Sequence, residues 1–323
     1  MGKDKKLIVF LELMEFYTRI LKDTPRLIAM SIDNEDSLRA MLTIRKEPID
    51  QEDQNLPPTP LKKIKIRMTI SKRPTFDLIQ ELLETNTNTL EELSLSLGAL
   101  GGERLSSLTF NALKIINLEN TTQIALQTLV SGGTPLLQSL SLKTCSFIAI
   151  NGGGAEANQL LLNSPSLTII DMVGCDLTPY SSLHIQTPLL DVLTLDNVIW
   201  GPNFQLSIRV QRINKLVFKG NLVDNNFEIQ SIGWSFLGLI EYGFPPTKVG
   251  HDLHSMMMGL RATNMMEMDA STSETMYMFL ANKEPIFYWG LEEIKVHGTL
   301  ENRWEIHKFF QKFIIPWGYI IDN

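Results

Sequence analysis

The chain has 323 residues, of which 44% are hydrophobic and 20% charged, and its formal net charge is −7. This composition is typical of a folded globular protein. The acidic balance gives no electrostatic reason to expect a nucleic-acid partner, and no apolar run approaches the ~18 residues of a membrane span. Two cysteines are too few for a disulfide framework and fit a reducing compartment, so we expect a cytoplasmic or nuclear protein.

The first 23 residues predict a capping element. Two lysines precede an apolar run at residues 7–11, as in a secretory signal, but Glu12 and Glu15 interrupt the apolar pattern and no small-residue cleavage site follows. We therefore interpret residues 6–22 as an amphipathic helix that covers the exposed end of whatever follows.

A short pattern then recurs along the chain: apolar, two residues, apolar, one residue, apolar. Clear copies begin at Leu90, Leu113, Leu137, Leu167, Leu190 and Ile213. Weaker copies begin at Leu27, Leu61, Leu237, Thr263 and Leu291. From the second copy onward the mean spacing is about 26 residues, inside the roughly 20–29 residues of a leucine-rich repeat.

This pattern predicts a short strand in each repeat, with apolar positions pointing into a core and intervening positions pointing outward. One repeat cannot bury its own apolar face, so neighbouring repeats must stack. We predict one α/β domain over residues 1–323, a curved right-handed leucine-rich repeat solenoid. Ten or eleven repeats would occupy residues 24–300, with a parallel sheet on the concave face and helices or irregular segments on the convex face.

Several connections between the strands predict helices or turns. Apolar residues recur at three- and four-residue steps in segments 76–84, 122–130, 155–162 and 273–281. Ser-Pro or Thr-Pro pairs at Pro25, Pro135, Pro165 and Pro188 precede strands, where proline ends any helix.

Two segments break the repeat. Residues 45–60 are polar, acidic in their middle and rich in proline, which predicts an inserted loop. Residues 301–323 no longer repeat but contain a dense apolar stretch, which predicts a C-terminal cap over the last repeat.

The outward strand positions are the candidate partner-binding residues. At the N-terminal end Lys63, Lys65 and Arg67 share one face of a strand, which predicts a basic patch. Such a patch is interpreted either as a solvated edge or as a site for an acidic partner or a phosphate. A register error of one residue would exchange this whole set with the core residues. The further candidates are Glu92, Ser94, Ser96, Ile115, Asn117, Glu119, Ser139, Ser141, Lys143, Ile169, Asp171, Val173, Val192, Thr194, Asp196, Lys215, Val217 and Lys219.

No motif predicts catalysis, a cofactor or a metal. Cys145 and Cys175 occupy equivalent positions in consecutive repeats and are interpreted as buried structural thiols. His251 and His254 lack the further ligands of a zinc site. The glycines at 152–154 lack the Gly-Lys-Ser/Thr ending of a phosphate loop. We therefore predict that the protein is not an enzyme.

A methionine cluster late in the chain predicts core packing. Its members are Met256, Met257, Met258, Met265, Met266 and Met268. Flexible thioether side chains fill irregular gaps in a core, although they also occur at binding surfaces.

The irregular repeat length and the Thr-Pro turns resemble the repeat region of plant F-box proteins, especially the F-box/FBD type. Residues 253–269 resemble a helix-then-strand unit late in that region, and residues 290–296 resemble its last repeat. In that family a helical F-box precedes the repeats and docks the Skp-type adaptor of a ubiquitin ligase. Residues 1–23 are too short for an F-box, so the resemblance implies a member that keeps the partner-binding surface without the docking module.

We predict a noncatalytic recognition scaffold that binds a partner protein on its concave surface. Three alternatives stay open at this point. The first is the substrate receptor of an SCF-type ubiquitin ligase, which needs a segment that docks the Skp-type adaptor. The second is the sensing region of an intracellular immune receptor, and the third is a small-ligand receptor with a deep concave pocket.

Overall fold

The computed structural model describes two compact units, residues 1–137 and residues 138–323. The described residues are 29–46, 61–68, 73–98, 105, 107–131, 133–148, 158–202, 204–210, 213–220, 226–231, 237–243, 263–280, 293–299 and 303–311. The predicted N-terminal cap, residues 47–60 of the predicted insertion and residues 312–323 of the predicted C-terminal cap lie outside them.

In its described part the first unit combines parallel strands with helices. The strands are β1 (Ala29–Ile32), β2 (Lys63–Arg67), β3 (Glu92–Gly98) and β4 (Ile115–Thr121), which pair in chain order. The helices are α1 (Glu35–Lys46), α2 (Arg73–Glu84) and α3 (Leu126–Ser131). Helix α2 contains the predicted segment 76–84.

Local sequence explains these elements. In β2, Ile64 and Ile66 are buried while the alternating basic residues are exposed, as the strand pleat requires. Helix α1 was not predicted from the sequence, and its last two residues, 45 and 46, fall in the predicted inserted loop. The helix begins at an N-cap. The Asn34 Oδ1 atom accepts a hydrogen bond from the backbone N–H of Ser37 at 2.8 Å. Its Glu35 carboxylate accepts a hydrogen bond from the Thr75 hydroxyl of α2 at 2.7 Å, which joins the two helices.

Asn86 joins the end of α2 to the segment before β2. Its side chain is 2% exposed. Its Oδ1 atom accepts a hydrogen bond from the backbone N–H of Leu61 at 3.1 Å, and its Nδ2 atom donates to the carbonyl of Leu82 at 2.7 Å. One buried amide therefore satisfies a donor and an acceptor that are more than twenty residues apart in the chain.

Glu91 bridges two lysines at the start of the strands. Its carboxylate lies 2.8 Å from Lys62 Nζ and 3.0 Å from Lys114 Nζ. Hydrogen bonds from both ammonium groups, together with their positive charge, lower the pKa of Glu91 from 4.5 to about 2.

Replacing Glu91 by glutamine should lower stability in a pH-dependent way. Because the folded pKa is below the unfolded one, the stabilisation is fully present above pH ~4.5 and is lost as the pH falls toward 2. The difference in thermal midpoint between the wild type and Glu91→Gln, followed from pH 7 down to pH 3 at low salt, should shrink below pH 4.5. Glu119→Gln, at an exposed carboxylate, is the control; a difference independent of pH would contradict the prediction.

The second unit contains two parallel sheets. The first sheet has the order β5 (Ser139–Lys143), β7 (Ile169–Val173), β9 (Val192–Asp196), β11 (Ile213–Lys219), β13 (Leu237–Gly243), β14 (Thr263–Asp269) and β15 (Glu293–His297). The second has the order β12 (Asn226–Ser231), β10 (Gln205–Val210), β8 (Ser182–Ile185) and β6 (Gln159–Leu162). From β5 to β13 the chain thus alternates between the sheets.

The pairing register agrees with the repeat pattern in both units. Leu140 lies opposite Ile170, which lies opposite Leu193 on the next strand. Ile64 and Leu93 are paired in the same way in the first unit. The predicted strand register is therefore confirmed within each unit, and the protein is an α/β protein with a large parallel sheet.

The second sheet corrects one predicted helix. Segment 155–162 was expected to be helical, but Gln159–Leu162 forms β6, and residues 155–157 lie outside the described residues. A short apolar run fits a helix or a buried strand equally well, and pairing with β8 decides for the strand. The predicted helix 122–130 begins only at Leu126 because Gln123 has a φ of +59°, which no right-handed helix contains.

Two helices lie in the last described part of the second unit, one on either side of β15 in the chain. Helix α4 (Ala270–Leu280) includes most of the predicted segment 273–281. Helix α5 (Arg303–Gln311) falls in the predicted C-terminal cap, with Ile306 and Phe310 buried. The Phe309 ring meets Tyr277 of α4 edge-on at a centroid distance of 5.7 Å, so the two helices pack together.

A left-handed residue follows the core positions of many strands. It lies two positions after the last inward residue, at Asn120, Thr144, Gly174, Asn197, Gly220 and Gly298. This conformation turns the chain sharply out of the strand. Glycine adopts this conformation without strain and asparagine tolerates it, whereas a β-branched residue such as Thr144 is strained in it.

Substitutions at this turn should have opposite signs. Gly220→Ala should lower the unfolding free energy by about 2 kcal/mol or more, because φ is +97° and the new Cβ would lie 2.9 Å from the Cα of Asn197. Thr144→Gly should raise it by about 0.5–1 kcal/mol by relieving strain at φ +50°. Urea unfolding measures both, and two shifts of the same sign would contradict the interpretation.

Candidate functional site

The exposed face of the first unit's sheet carries rows of polar residues. Ser31, Lys65, Ser94 and Asn117 lie side by side on β1 to β4. Arg67, Ser96 and Glu119 form the next row. Both rows line a groove of about 680 Å³, which is also lined by Ala29, Met30, Lys63, Ile64, Ile66, Glu92 and Leu95.

The cations of the groove are in different electrostatic states. Lys63 Nζ lies 2.7 Å from the Glu92 carboxylate, and this hydrogen-bonded pair raises the pKa of Lys63. Lys65 and Arg67 are exposed, and among the residues that the structure describes neither has a carboxylate partner. Two positive charges on the same face of β2 are therefore not compensated within the described sheet.

Hydroxyl groups lie beside these cations. Ser94 is the register neighbour of Lys65, and Ser96 is the neighbour of Arg67. The Nδ2 atom of Asn117 donates to Ser94 Oγ at 3.1 Å, so a lone pair of Ser94 is used there while its O–H remains a donor. The groove thus offers cations and hydroxyl donors together.

The second unit places its candidate residues on the outward face of the first sheet. Ser141 donates a hydrogen bond to Asp171 at 3.1 Å across β5 and β7. Thr194 follows in the same row, and the candidates of this unit are partly or fully exposed except Val217, which is 6% exposed. Val217 lies in the outward row of Thr194 but is buried there.

The sixteen polar candidates share the outward face of their own unit's sheet. They are Lys63, Lys65, Arg67, Glu92, Ser94, Ser96, Asn117 and Glu119 in the first unit. In the second they are Ser139, Ser141, Lys143, Asp171, Thr194, Asp196, Lys215 and Lys219. This placement agrees with the pleat, but it does not test whether any of them contacts a partner.

Sequence analysis missed outward residues at both ends of the array. Ser31 lies in the row of Lys65, and the alternation of β1 could have identified it. Glu267 and His297 on β14 and β15 form an ion pair at 2.6 Å when the histidine is protonated. The alternating pattern of Glu293–His297 carried the signal, but that copy of the repeat was weak.

The two cysteines are buried reduced thiols, as predicted for structural residues. The Cys175 thiol donates toward the carbonyl of Leu142 at 3.3 Å. Hydrogen bonding with Cys145, followed by burial, raises the pKa of the Cys175 thiol, so the reactive thiolate is disfavoured.

These thiols should resist alkylation while the protein is folded. We expect a thiol reagent such as Ellman's reagent at pH 8 to modify Cys145 and Cys175 only at the rate of unfolding, because both are buried. Stopped-flow absorbance with increasing urea measures this rate. Rapid modification of either cysteine without urea would contradict the prediction.

Other candidate motifs are only partly described. Met266 and Met268 are buried, in agreement with core packing, and Met265 is half-buried. The remaining methionines of the cluster at residues 256–258, the histidines at 251 and 254 and the glycines at 152–154 lie outside the described residues.

Two searches of the described residues gave negative results. No group of three or more His, Cys, Asp or Glu side chains there could hold a metal ion. Among the helices in the described ranges, none combines the length and apolarity that a membrane crossing requires.

Comparison with known proteins adds no relative. No protein-family model matches the chain, and no curated protein is significantly similar to it. The function therefore has to be argued from the residues and their geometry.

Proposed function

We propose that this chain is a leucine-rich repeat solenoid that acts as a noncatalytic protein-recognition scaffold. The partner protein would contact the outward residues of the parallel sheet. The observation that carries the proposal is the register, because equivalent positions of successive repeats lie side by side. Within each unit, a repeat in such an array shields the apolar edge of the next repeat, and the exposed faces of the repeats add up to one surface.

The composition of the outward face supports recognition. Each described strand from β2 to β4 presents hydroxyl, amide or charged groups there, while its inward residues are buried. Because the strands fix the backbone, they hold these polar side chains at set spacings, which suits specific contact with another protein. Catalysis would need a nucleophile or an acid–base pair, and the exposed serines of the groove have no histidine as register neighbour.

Site-specific crosslinking tests this function. A photoreactive amino acid is placed at Ser94 or Thr194 on the outward face and, as a control, at Thr128 on the exposed side of α3. After irradiation in living cells, we expect the same partner protein to be crosslinked from at least one face position and not from Thr128. Identical crosslinked proteins from all three positions would contradict the proposal.

The resemblance to plant F-box/FBD-type proteins stays a prediction. Binding of a purified Skp-type adaptor to the full chain would support a role as a ubiquitin-ligase receptor. A scaffold without the docking module is expected to leave the adaptor unbound.

A further inference from the structure

We propose that the groove of the first unit binds a phosphorylated side chain of the partner protein, in an extended segment that carries a basic residue about three positions away. The proposal rests on the proposed function and specifies the chemistry of its partner. It is carried by the uneven charge of the groove: among the described residues, Lys65 and Arg67 on β2 and Glu119 on β4 have no ion-pair partner.

The number and spacing of the cations fit a phosphoryl group. Lys65 and Arg67 are two residues apart on β2, so their Cα atoms are about 7 Å apart and both side chains can reach one anion between them. A phosphorylated side chain carries a charge of about −1.5 to −2 at neutral pH, which two cations neutralise, whereas a single carboxylate would leave one cation unpaired. The arginine can also bind two phosphoryl oxygens at once.

The serine hydroxyls extend this match. Ser94 and Ser96 are the direct neighbours of the two cations on β3, and the O–H group of Ser94 remains a donor while Asn117 donates to its oxygen. A phosphoryl group presents three acceptor oxygens, and the two cations together with these hydroxyls supply donors for all of them.

The far side of the groove opposes a uniformly acidic ligand. Glu119 lies beyond Ser96 in the row of Arg67, two strand spacings or about 10 Å away. It is exposed and has no ion pair among the described residues. A run of acidic residues crossing the strands would be repelled there, whereas a lysine or arginine would be attracted.

The spacing of these charges sets the expected sequence. An extended peptide rises about 3.3 Å per residue, so three residues span the distance from the cations to Glu119. A segment that crosses β2, β3 and β4 would therefore place its phosphorylated residue over Lys65 and Arg67 and a basic residue over Glu119. The overall charge of −7 adds selectivity, because general polyanions are repelled by the rest of the chain.

Degenerate peptide libraries test the proposal with the full chain. One library has a central phosphoserine or phosphothreonine with randomised flanks, a second has unmodified serine or threonine, and a third has glutamate at that position. The variant is K65Q/R67Q. The matched control is R209Q/K308Q, which removes one arginine and one lysine from exposed positions of β10 and α5, outside the candidate partner-binding face.

We expect the wild type to retain phosphorylated peptides about tenfold or more strongly than either other library, because charge-assisted hydrogen bonds are lost without the phosphoryl group. K65Q/R67Q should lose this preference, and R209Q/K308Q should keep it. E119Q should still bind phosphorylated peptides but should lose the selection for lysine or arginine three positions away. Equal thermal midpoints of the variants would show that folding is unchanged.

Distinct results would overturn the proposal. Binding that is independent of phosphorylation, phosphopeptide binding unaffected by K65Q/R67Q, or no binding of any library would each reject the phosphoryl site. Unmodified peptides that crosslink to position 94 would reject it while leaving the recognition scaffold in place. Failure of the proposed recognition function would give a different result, namely identical crosslinked proteins from position 94 and position 128 in cells.

Discussion

Leu193→Ala is expected to lower the free energy of unfolding by about 2–5 kcal/mol, because it removes a fully buried side chain from the middle of the parallel sheet. Leu193 lies between Ile170 and Leu216 on the neighbouring strands, both of which are also buried. The loss combines the transfer free energy of the deleted methyl groups with a cavity that paired strands on both sides prevent from collapsing.

The adjacent residue provides the control for this substitution. Thr194→Ala changes a partly exposed outward side chain on the same strand and should alter the unfolding free energy by about 0.5 kcal/mol or less. Equilibrium unfolding in urea measures both variants. Equal destabilisation by the two substitutions would contradict the inward and outward assignment of β9.

Asn86→Ala is expected to cost about 1–3 kcal/mol, although asparagine is a polar residue in a connection. The change leaves the buried N–H of Leu61 without its partner, whereas the carbonyl of Leu82 keeps a second donor in the Thr85 hydroxyl at 2.9 Å. Circular dichroism during urea unfolding measures the change.

Asn111 is the matched control for Asn86. It is exposed and donates a hydrogen bond at 2.6 Å to the exposed side chain of Asn88. Water can replace that partner, so Asn111→Ala should change stability by about 0.5 kcal/mol or less. A loss as large as that of Asn86→Ala would show that burial does not control the effect.

The strands of the large sheet could be predicted because their pattern repeats. Weak copies such as Thr263 to Met268 could be assigned as strands because they follow stronger copies of the same pattern. Strand β14 has the expected register. The outward face followed directly, since alternation assigns each residue of a known strand to one side.

The second sheet could not be predicted in the same way. The alternation of Leu206, Ile208 and Val210 in β10 carries a strand signal, but its neighbour β8 is a segment as short as Ser182–Ile185. Pairing between distant segments decides these strands, and periodicity within one segment does not report it. Helix α1 was also missed. Its N-cap at Asn34 comes so soon after a strand that the repeat pattern hid the start of the helix.

The charge pattern of the groove was only partly visible in the sequence. The three basic residues of β2 were identified as a patch, but the difference in their ion pairing was not. Only the register shows that Lys63 is neutralised by Glu92 whereas Lys65 and Arg67 face serines. A candidate site of this kind depends on lateral neighbours that are 29 residues away in the chain.

The alternation of the second unit between its two sheets determines how its length can change. A stretch that starts at Ile170 and ends just before Leu193 contributes one strand, β7, to the first sheet and one, β8, to the second. Losing or duplicating such a stretch as a whole would leave every remaining side chain on its original side. Losing a single residue within a strand would reverse the sides from that point to the end of the strand. Gene rearrangements that add or remove complete modules are therefore the changes that this architecture tolerates best.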